Sequence, residues 1–412
     1  MIFHKLQFGT YFCPTLVVFM PVQLVCIYLG EGDPPGQLGC TPRVCTLMEP
    51  DCWIQLRREF EAYYSEFERV LLQCARPKDS TDKLVQIARY NLSGGKRLRG
   101  CLVVASLKAF IGDKIPDKDA LHRAYIIGWC IEMLHAGFLI HDDIIDDAPT
   151  RRNRTSWFLL QKQAGRGLIA VNDGLHLILT AKLLLHHLFS SNGTAAVGYL
   201  KLLQLFDEVG YRTCWGQSLD FECAKTAADD STTEPLPLDS FTRSNFNEIA
   251  VWKAGFYTFY LPVACGMAIA GISDETSYSV ASHILLKLGL YFQAQDDYLD
   301  CFGDVAVTGK IGTDISDGKC SWPIVECLAQ ASPEQLKVIQ LNYGRRDPVA
   351  QAAVREVYAQ LHLPQVFADY ETQMRTEIIK DIMDWALPDV SITGRAQQLF
   401  CEVTDRIFRR TN

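Results

Sequence analysis

From about residue 51 onward, apolar and polar residues alternate with the period of an amphipathic helix. In the first such segment four apolar side chains recur at spacings of three and four: Phe60, Tyr63, Phe67 and Leu71. This spacing places them on one face of a helix. The same pattern continues through five longer segments, residues 120–140, 167–189, 197–220, 246–270 and 277–300. Because strand-like alternation is scarce, the pattern predicts a single all-α domain, a bundle of about ten long helices.

Two segments interrupt the helical pattern and are predicted to be loops. Residues 224–239 are polar and contain proline, and residues 303–319 are rich in glycine, aspartate and threonine. Both compositions favour turns over regular helix.

The first 47 residues differ from the rest, since no charge occurs between Lys5 and Glu31. Three interpretations stay open. The first is a signal peptide or anchor, although Pro14 and Pro21 would interrupt its helix. The second is an organelle-targeting leader, although Arg and Ser are scarce. The third is a non-catalytic extension, with translation starting at Met48. We therefore predict a division into residues 1–47, a leader or extension, and residues 48–412, the main domain.

Composition narrows the class of protein. The chain has 412 residues, of which 48% are apolar, and a formal net charge of −8. This much apolar side chain can bury a large core, and the acidic balance argues against nucleic acid as a partner. Fifteen cysteines occur without a CxxC pair, and in a chain of this length they are better interpreted as buried free thiols in a reducing compartment.

The strongest chemical signal is a pair of aspartate clusters, each at the end of an apolar helical segment. The first consists of Asp142, Asp143 and Asp146, and the second of Asp296, Asp297 and Asp300. Residues i and i+4 share a helix face, so the outer carboxylates of each cluster point the same way and require cations nearby. Mg²⁺ binds one or two carboxylates together with phosphate oxygens and water. The two clusters therefore predict a diphosphate site bridged by Mg²⁺.

Basic residues occur where such a site needs them. Lys96 and Arg99 follow the pair Gly94-Gly95, which lets the backbone approach a phosphate closely. Further basic residues follow the clusters and end the chain: Arg151, Arg152, Lys310, Lys319, Arg409 and Arg410. Arg offers paired donors and Lys a point charge, and both suit diphosphate. Together they describe a site for two diphosphates, one bound through metal and one bound directly by cations.

Six motifs carry a resemblance to a known family: GGKRLRG, DDIIDDAPTRR, GQSLD, FYLP, FQAQDDYLDCFGD and TGKIGTDISDGKCSW. In this order they resemble the trans-isoprenyl diphosphate synthases, most closely the eukaryotic farnesyl diphosphate synthase type, from about Tyr63 to the C terminus. The resemblance implies the isoprenoid synthase type I fold, an all-helical bundle around a central cavity, and a homodimer. It implies a Mg²⁺-dependent enzyme acting on isoprenyl diphosphates, with no membrane span in residues 48–412.

The resemblance also implies a role for each matching residue. The two aspartate clusters would bind three Mg²⁺ ions. The allylic diphosphate site would be lined by Arg151, Lys253, Lys310 and Lys319. The isopentenyl diphosphate site would be lined by Lys96, Arg99, His135, Arg152 and Arg410. Gln293 would lie near the developing carbocation, so the catalytic roles would fall to Arg151, Lys253 and Gln293.

The family reaction is a condensation. Metal ions and cations stabilise the leaving diphosphate, the allylic C–O bond ionises, and the isopentenyl double bond attacks the allylic cation. The expected activity is therefore prenyl transfer that gives farnesyl diphosphate or a product of similar length.

Two neighbouring positions bear on product length. Gly137 replaces one of two Phe residues that gauge chain length in the family, and Phe138 keeps the other. Loss of an aromatic side chain predicts a larger cavity and a chain of farnesyl length or longer, unless Gly137 is a helix-packing glycine. His135 stands where the farnesyl synthase type has Gln, and it can still donate a hydrogen bond to a diphosphate.

Two further departures keep other functions open. Asn153 stands where Gly usually follows the arginine pair, and Ala254 stands where Thr usually follows Lys253. In the family that Thr helps to hold the region of the reacting cation, so its absence leaves open a terpene synthase, a lyase that cyclises farnesyl diphosphate without isopentenyl diphosphate. A non-catalytic synthase subunit is a third possibility, although both clusters are intact. The substrates imply a cytoplasmic location, or a mitochondrial one if residues 1–47 act as a leader.

Overall fold

Helices account for almost all of the described backbone, as the apolar periodicity predicts. The structure is a computed structural model, which describes residues 16–20, 23–27, 50–74, 78–189, 196–224, 235–303 and 312–409. The chain divides into two compact units, Met1–Leu56 and Arg57–Asn412. The predicted boundary after residue 47 lies outside the described residues, so the division into 1–47 and 48–412 stays a prediction.

Within the first unit, two short strands form a hairpin. Strands β1 (Leu16–Met20) and β2 (Gln23–Ile27) pair antiparallel, with Leu16 opposite Ile27 and Met20 opposite Gln23. Both are rich in Val, Leu and other residues that suit a strand.

The helices follow in chain order. They are α1 (Pro50–Ala62), α2 (Tyr64–Cys74), α3 (Lys78–Leu92), α4 (Leu98–Phe110), α5 (Lys118–Ile145), α6 (Trp157–Gln163), α7 (Ile169–Phe189), α8 (Ala196–Cys223), α9 (Arg243–Ile249), α10 (Leu261–Ala270), α11 (Glu275–Phe302), α12 (Trp322–Gln330), α13 (Pro333–Asn342), α14 (Pro348–Gln360), α15 (Leu363–Asp384) and α16 (Val390–Phe408). A π-helix, Ala250–Tyr260, joins α9 to α10. A short hairpin of β3 (Thr150–Arg151) and β4 (Arg154–Thr155) lies between α5 and α6.

All five long helical segments predicted from the sequence are confirmed, with ends that differ by a few residues. Two local features were not predicted. The first apolar stripe is divided between α1 and α2 at Tyr63, and the segment predicted over residues 246–270 contains a π-helix in its first half. Such wider turns are rare and occur often at functional sites.

Helix α5 forms the centre of the second unit, where it packs against α4, α7 and α10. Residues 124–137 of this helix are all buried. Within the described residues it is the one helix long and apolar enough to cross a membrane, and 83% of its most apolar window is covered by the rest of the protein. That burial is expected of the core helix of a bundle.

Gly137 lies at a close contact between α5 and α7, and this favours the helix-packing interpretation over a larger substrate pocket. A Cβ atom built on Gly137 would lie 2.7 Å from the carbonyl oxygen of Gly174 and 2.7 Å from Cγ1 of Ile178, both on α7. The missing side chain therefore lets two helices touch. Phe138 is half-buried and its ring centroid lies 5.9 Å from that of Tyr257, so it remains the chain-length candidate.

We expect Gly137→Ala to destabilise the fold. The added methyl group would overlap the backbone of α7, and such overpacking costs about 1–3 kcal/mol. Gly394→Ala is the matched control, because Gly394 also lies within a helix but a Cβ atom added to it would meet no described atom within 4 Å. Urea unfolding of both variants measures the difference, and an equal effect at the two positions would contradict the packing role of Gly137.

Candidate active site

Both aspartate clusters lie at the carboxyl ends of long helices. Asp142 and Asp143 belong to the last turn of α5, Asp146 caps that helix, and the second cluster ends two residues before the last residue of α11. The carboxyl end of a helix carries partial negative charge, so carboxylates there are unfavourable without nearby cations. The structure supplies cations to the first cluster from three separate elements.

Arg151 binds the first two aspartates of the first cluster. Its Nε donates to Oδ1 of Asp143 at 2.8 Å, and its Nη2 donates to Oδ2 of Asp142 at 2.9 Å. Asp143 is only 2% exposed, and burial raises its pKa to about 6 despite the arginine. For Asp142, burial also acts to raise the pKa, but the charges of Lys253 and Arg151 outweigh it and hold the pKa below its ordinary value.

Two lysines complete the charge balance of this cluster. Lys253 Nζ, on the π-helix, lies 3.1 Å from Oδ1 of Asp142. Lys319 Nζ, in the segment before α12, donates to Oδ1 of Asp146 at 3.1 Å. Two of the predicted allylic-site cations thus contact the cluster alongside Arg151. The fourth, Lys310, lies outside the described residues.

A tight turn in the β3–β4 hairpin orients the arginine side chains on either side of it. Arg152 and Asn153, between the paired strands, have φ values of 54° and 58°, as a two-residue type I′ turn requires. Asn tolerates this left-handed conformation better than most residues, which explains how it replaces the usual Gly. Arg154 anchors the hairpin, because its guanidinium lies 4.2 Å from the Tyr90 ring centroid.

Arg152 turns toward the glycine loop that precedes α4. Its Nη1 donates to the carbonyl oxygens of Asn91 at 3.1 Å and Ser93 at 3.2 Å. A Cβ on Gly95 would lie 3.2 Å from its Cζ, and Gly95 has φ +88°, so only glycine fits this loop comfortably. The loop therefore joins the Arg152 guanidinium to the segment that carries Lys96 and Arg99.

The basic residues that follow Gly94 and Gly95 differ in how far they are buried. Arg97 is 7% exposed, lies 3.7 Å from Glu132 and stands 4.9 Å from the Trp129 ring centroid, so it supports the fold. Lys96 is exposed and Arg99 is half-buried. This division matches the assignment of Lys96 and Arg99, and not Arg97, to a ligand site.

Arg99, Tyr257 and His135 form a stack beside this loop. The Arg99 guanidinium lies 4.8 Å from the Tyr257 ring centroid, and its Nη2 donates to Oγ1 of Thr258 at 2.9 Å. The His135 ring stacks on Tyr257 with centroids 5.4 Å apart, and among the described residues its buried Nδ1 finds no hydrogen-bond partner. Burial, aided by the charges of Arg99 and Arg152, lowers the pKa of His135 well below its usual value. A neutral imidazole with an unused ring nitrogen can bind a polar group of a ligand.

The second cluster is divided in the same way as the first. Asp297 is 7% exposed, and its two oxygens accept hydrogen bonds from Gln293 Nε2 at 2.7 Å and from the backbone N–H of Trp322 at 2.9 Å. Burial raises the pKa of Asp297 to about 7. Both carboxylate oxygens are thus engaged within the protein, which leaves Asp296 and Asp300, at i and i+4, as the outward pair.

The segment before α12 links the two clusters. The backbone N–H of Asp314 donates to Oδ1 of Asp300 at 3.0 Å, and Lys319 of the same segment reaches Asp146 of the first cluster. Tyr343 fixes the segment by donating to the carbonyl oxygen of Lys319 at 2.6 Å. One short segment therefore contacts an aspartate of each cluster.

Asp220 is a member of the site that the sequence pattern did not single out, although it ends the motif GQSLD. It is 6% exposed, and its Oδ2 accepts from Lys253 at 2.7 Å and from Lys319 at 3.3 Å. Gly216, one turn earlier on α8, explains the placement, because a Cβ there would lie 2.3 Å from the backbone nitrogen of Lys253. Residues i and i+4 share a helix face, so the close approach at Gly216 directs Asp220 at the lysine.

The carboxylates of the two clusters bear on whether the site could hold a metal ion. Among the described residues, no three His, Cys, Asp or Glu side chains converge closely enough to hold a metal ion alone. Carboxylate oxygens suit Mg²⁺, which completes its coordination with phosphate oxygens and water. Within the same part of the chain, Oδ1 of Asp142 is buried and has an ion pair with Lys253 Nζ at 3.1 Å but no hydrogen bond, so a metal ion could take the place of the lysine at this oxygen. Arg410, like Lys310, lies outside the described residues.

This fold and this site define the class of protein. The family model described as polyprenyl synthetase matches residues 81–361, and the chain belongs to this family. Proteins named farnesyl pyrophosphate synthase are similar over most of the chain. The human protein is 38% identical over 356 residues, which is 85% of this chain and 82% of that protein. The Schizosaccharomyces pombe protein is 37% identical over 361 residues, 87% of this chain and 99% of that protein.

Solved structures agree with the sequence matches. The crystal structure of T. brucei farnesyl diphosphate synthase superposes with a TM-score of 0.73 at 29% identity, covering 85% of this chain and 99% of that chain. The resemblance inferred from the motifs and the all-α isoprenoid synthase fold are therefore confirmed. The chain is an enzyme of the isoprenyl diphosphate synthase class.

We expect Asn153→Gly to leave the hairpin intact and Asn153→Val to disrupt it. A β-branched residue at positive φ is strained by about 1–3 kcal/mol, whereas Gly adopts this conformation freely. Disruption would displace Arg151 and Arg152 together, so Asn153→Val should weaken the binding of both diphosphates. Thermal unfolding and Michaelis constants for the two substrates measure this, and equal behaviour of the Gly and Val variants would rule out the turn as the positioning element.

Proposed function

We propose that the protein is a Mg²⁺-dependent prenyltransferase that condenses isopentenyl diphosphate with dimethylallyl or geranyl diphosphate to give farnesyl diphosphate or a product of similar length. The main observation behind this proposal is that the site contains two groups of cations, which differ in the groups that hold them. One consists of Arg151, Lys253 and Lys319 on the first aspartate cluster. The other consists of Arg99 and Arg152, held by neutral groups beside the glycine loop.

The first group forms the allylic diphosphate site. Asp142, Asp146, Asp296 and Asp300 would hold the magnesium ions, three by family resemblance. When bound, Mg²⁺ neutralises the charge that develops on the leaving diphosphate. Arg151 and Lys253 orient and stabilise the same diphosphate. Asp143 and Asp297 are buried and hydrogen-bonded, and they hold the neighbouring aspartates of their clusters in place. Gln293 donates a hydrogen bond to Asp297 at 2.7 Å and, by family resemblance, would lie beside the reacting carbon.

The second group forms the isopentenyl diphosphate site. Lys96, Arg99 and Arg152 contact that diphosphate, and His135 offers its unused Nδ1. Phe138 and Tyr257 supply apolar and aromatic surface next to it, with ring centroids 5.9 Å apart. Such surface keeps water away from an allylic cation and so protects it from hydrolysis.

A terpene synthase is the second candidate, and Ala254 is the residue that favours it. A lyase of this kind ionises farnesyl diphosphate at the allylic site and has no need of the isopentenyl-site cations. Their retention, together with relatives named farnesyl pyrophosphate synthase, supports transfer. A non-catalytic subunit is disfavoured by the two intact aspartate clusters.

The full-length protein with Mg²⁺ and geranyl diphosphate should consume isopentenyl diphosphate and form a longer diphosphate. Asp142→Asn should reduce this rate by about 100-fold or more, because it removes charge stabilisation of the leaving group. Product analysis by chromatography and diphosphate release measure both effects. Hydrocarbon formed from farnesyl diphosphate alone, without consumption of isopentenyl diphosphate, would establish the lyase instead.

Asp147→Asn is the matched control for this experiment. Asp147 directly follows the cluster, but its side chain is 73% exposed and pairs with Lys162 at 2.8 Å. Its variant should keep close to the wild-type rate. A loss equal to that of Asp142→Asn would mean that general acidity of the segment, and not the cluster geometry, supports activity.

We also propose that the protein is a homodimer that pairs through α7 and α8. An apolar stripe along α7 repeats at every fourth residue and is exposed by 46–53%: Val171, Leu175, Leu179 and Leu183. Helix α8 adds exposed Tyr211 and Trp215. Contiguous apolar surface of this kind marks an interaction site, and a second copy of the chain offers the same surface.

Leu179→Glu should convert the dimer to a monomer, since it places a charge in the centre of the stripe. Val349→Glu is the control, because Val349 is 75% exposed on α14, away from the stripe. Light scattering after size-exclusion chromatography gives the mass. A monomeric wild-type protein, or a dimeric Leu179→Glu variant, would contradict the proposed interface.

The location of the enzyme is proposed from its substrates. We place it in the cytoplasm, or in mitochondria if residues 1–47 act as a leader. Fluorescent fusions of the full chain and of residues 48–412 distinguish these locations.

A further inference from the structure

Asp220 occupies a position between the two lysines of the allylic site. Its Oδ2 accepts a hydrogen bond from Lys253 at 2.7 Å and another from Lys319 at 3.3 Å. The two lysines come from distant parts of the chain, the π-helix and the segment before α12. One buried carboxylate oxygen thus brings two ammonium groups together that would otherwise repel each other.

Each lysine also contacts one aspartate of the first cluster. Lys253 lies 3.1 Å from Asp142, and Lys319 lies 3.1 Å from Asp146. Under the proposed function these two carboxylates serve as metal ligands and are then less available to the lysines. Asp220 belongs to neither cluster, so both lysines can keep it as a partner whether or not metal ions are bound.

The groups around Asp220 are closely packed and hydrogen-bonded. The carboxylate is 6% exposed on the long helix α8, and Gly216 on the same face brings the π-helix into backbone contact. On the other side, Tyr343 holds the backbone of Lys319 with a hydrogen bond of 2.6 Å. A carboxylate fixed by packing places flexible lysine side chains more accurately than solvent does.

We propose that Asp220 is a positioning residue that holds Lys253 and Lys319 as a pair for the allylic diphosphate. This inference rests on the proposed function only in taking the first cluster as the allylic site. Asp220 acts through the lysines and has no contact of its own with the reacting atoms. It therefore affects the allylic substrate selectively and leaves the isopentenyl site, built around Arg99 and Arg152, unchanged.

The test compares Asp220→Asn with wild type in the full-length protein. Isothermal titration calorimetry with inorganic diphosphate and Mg²⁺ should show binding weakened by about 10-fold, as for other residues that orient ligand-binding groups. The Michaelis constant for geranyl diphosphate should rise in parallel, and that for isopentenyl diphosphate should stay close to wild type. Glu222→Gln removes an exposed carboxylate from the same helix and should change neither.

A purely structural role gives different results. If Asp220 serves only to neutralise the two lysines, Asp220→Asn lowers the thermal midpoint but affects the Michaelis constants of the two substrates equally. Unchanged diphosphate binding, or equal losses for both substrates, would overturn the proposal. If Asp220→Asn does not fold, Asp220→Glu takes its place, because it keeps the charge and shifts it by one carbon. Selective loss of diphosphate binding in that variant supports positioning, and unaltered binding refutes it.

Failure of the proposed function is recognised separately. Diphosphate binding is measured without isopentenyl diphosphate, so a wild-type protein that binds diphosphate but performs no condensation refutes prenyl transfer and leaves the Asp220 comparison valid.

Discussion

The accumulation of carboxylates at the carboxyl ends of two apolar helices is the constraint on which the site depends. The helix dipole, the burial of Asp143 and Asp297, and the mutual repulsion of neighbouring aspartates all oppose ionisation. The structure balances the first cluster with Arg151, Lys253 and Lys319, which reach it from a hairpin, a π-helix and a loop. Removing Arg151 would leave the buried carboxylate of Asp143 without its salt-bridge partner, which is strongly destabilising.

Close helix packing makes this balance possible. Gly137 allows α7 to contact α5 above the first cluster, and Gly216 allows α8 to contact the π-helix beside Lys253. Because interiors are packed as densely as organic crystals, a methyl group at either position would move a whole helix. At Gly216 such a shift would move the π-helix, and with it Lys253, relative to Asp220 on α8. The packing at Gly216 and the ion pair of Lys253 with Asp220 are therefore linked.

Much of this organisation follows from the sequence, for identifiable reasons. Periodicity predicts α5, α7, α8 and α11, because each buries a long apolar face, and spacing predicts which aspartates share a side. The burial of Gly137 against α7 was not predictable, because sequence does not give the rotation of one helix against another. Asp220 was missed because a single aspartate on a helix resembles an ordinary surface charge until its partners on distant segments are known.

The two proposed diphosphate sites differ in the groups that hold their cations, and this difference bears on function. On the allylic side the lysines and Arg151 contact carboxylates, which cancel much of their charge. On the isopentenyl side Arg152 is held by backbone carbonyls, and Arg99 by a hydroxyl and an aromatic face, which leave the guanidinium charge available to a ligand. A preformed cationic surface suits a diphosphate that binds without metal. An enzyme that only ionised and cyclised one substrate would gain nothing from keeping such a surface in place, which is why the architecture favours condensation.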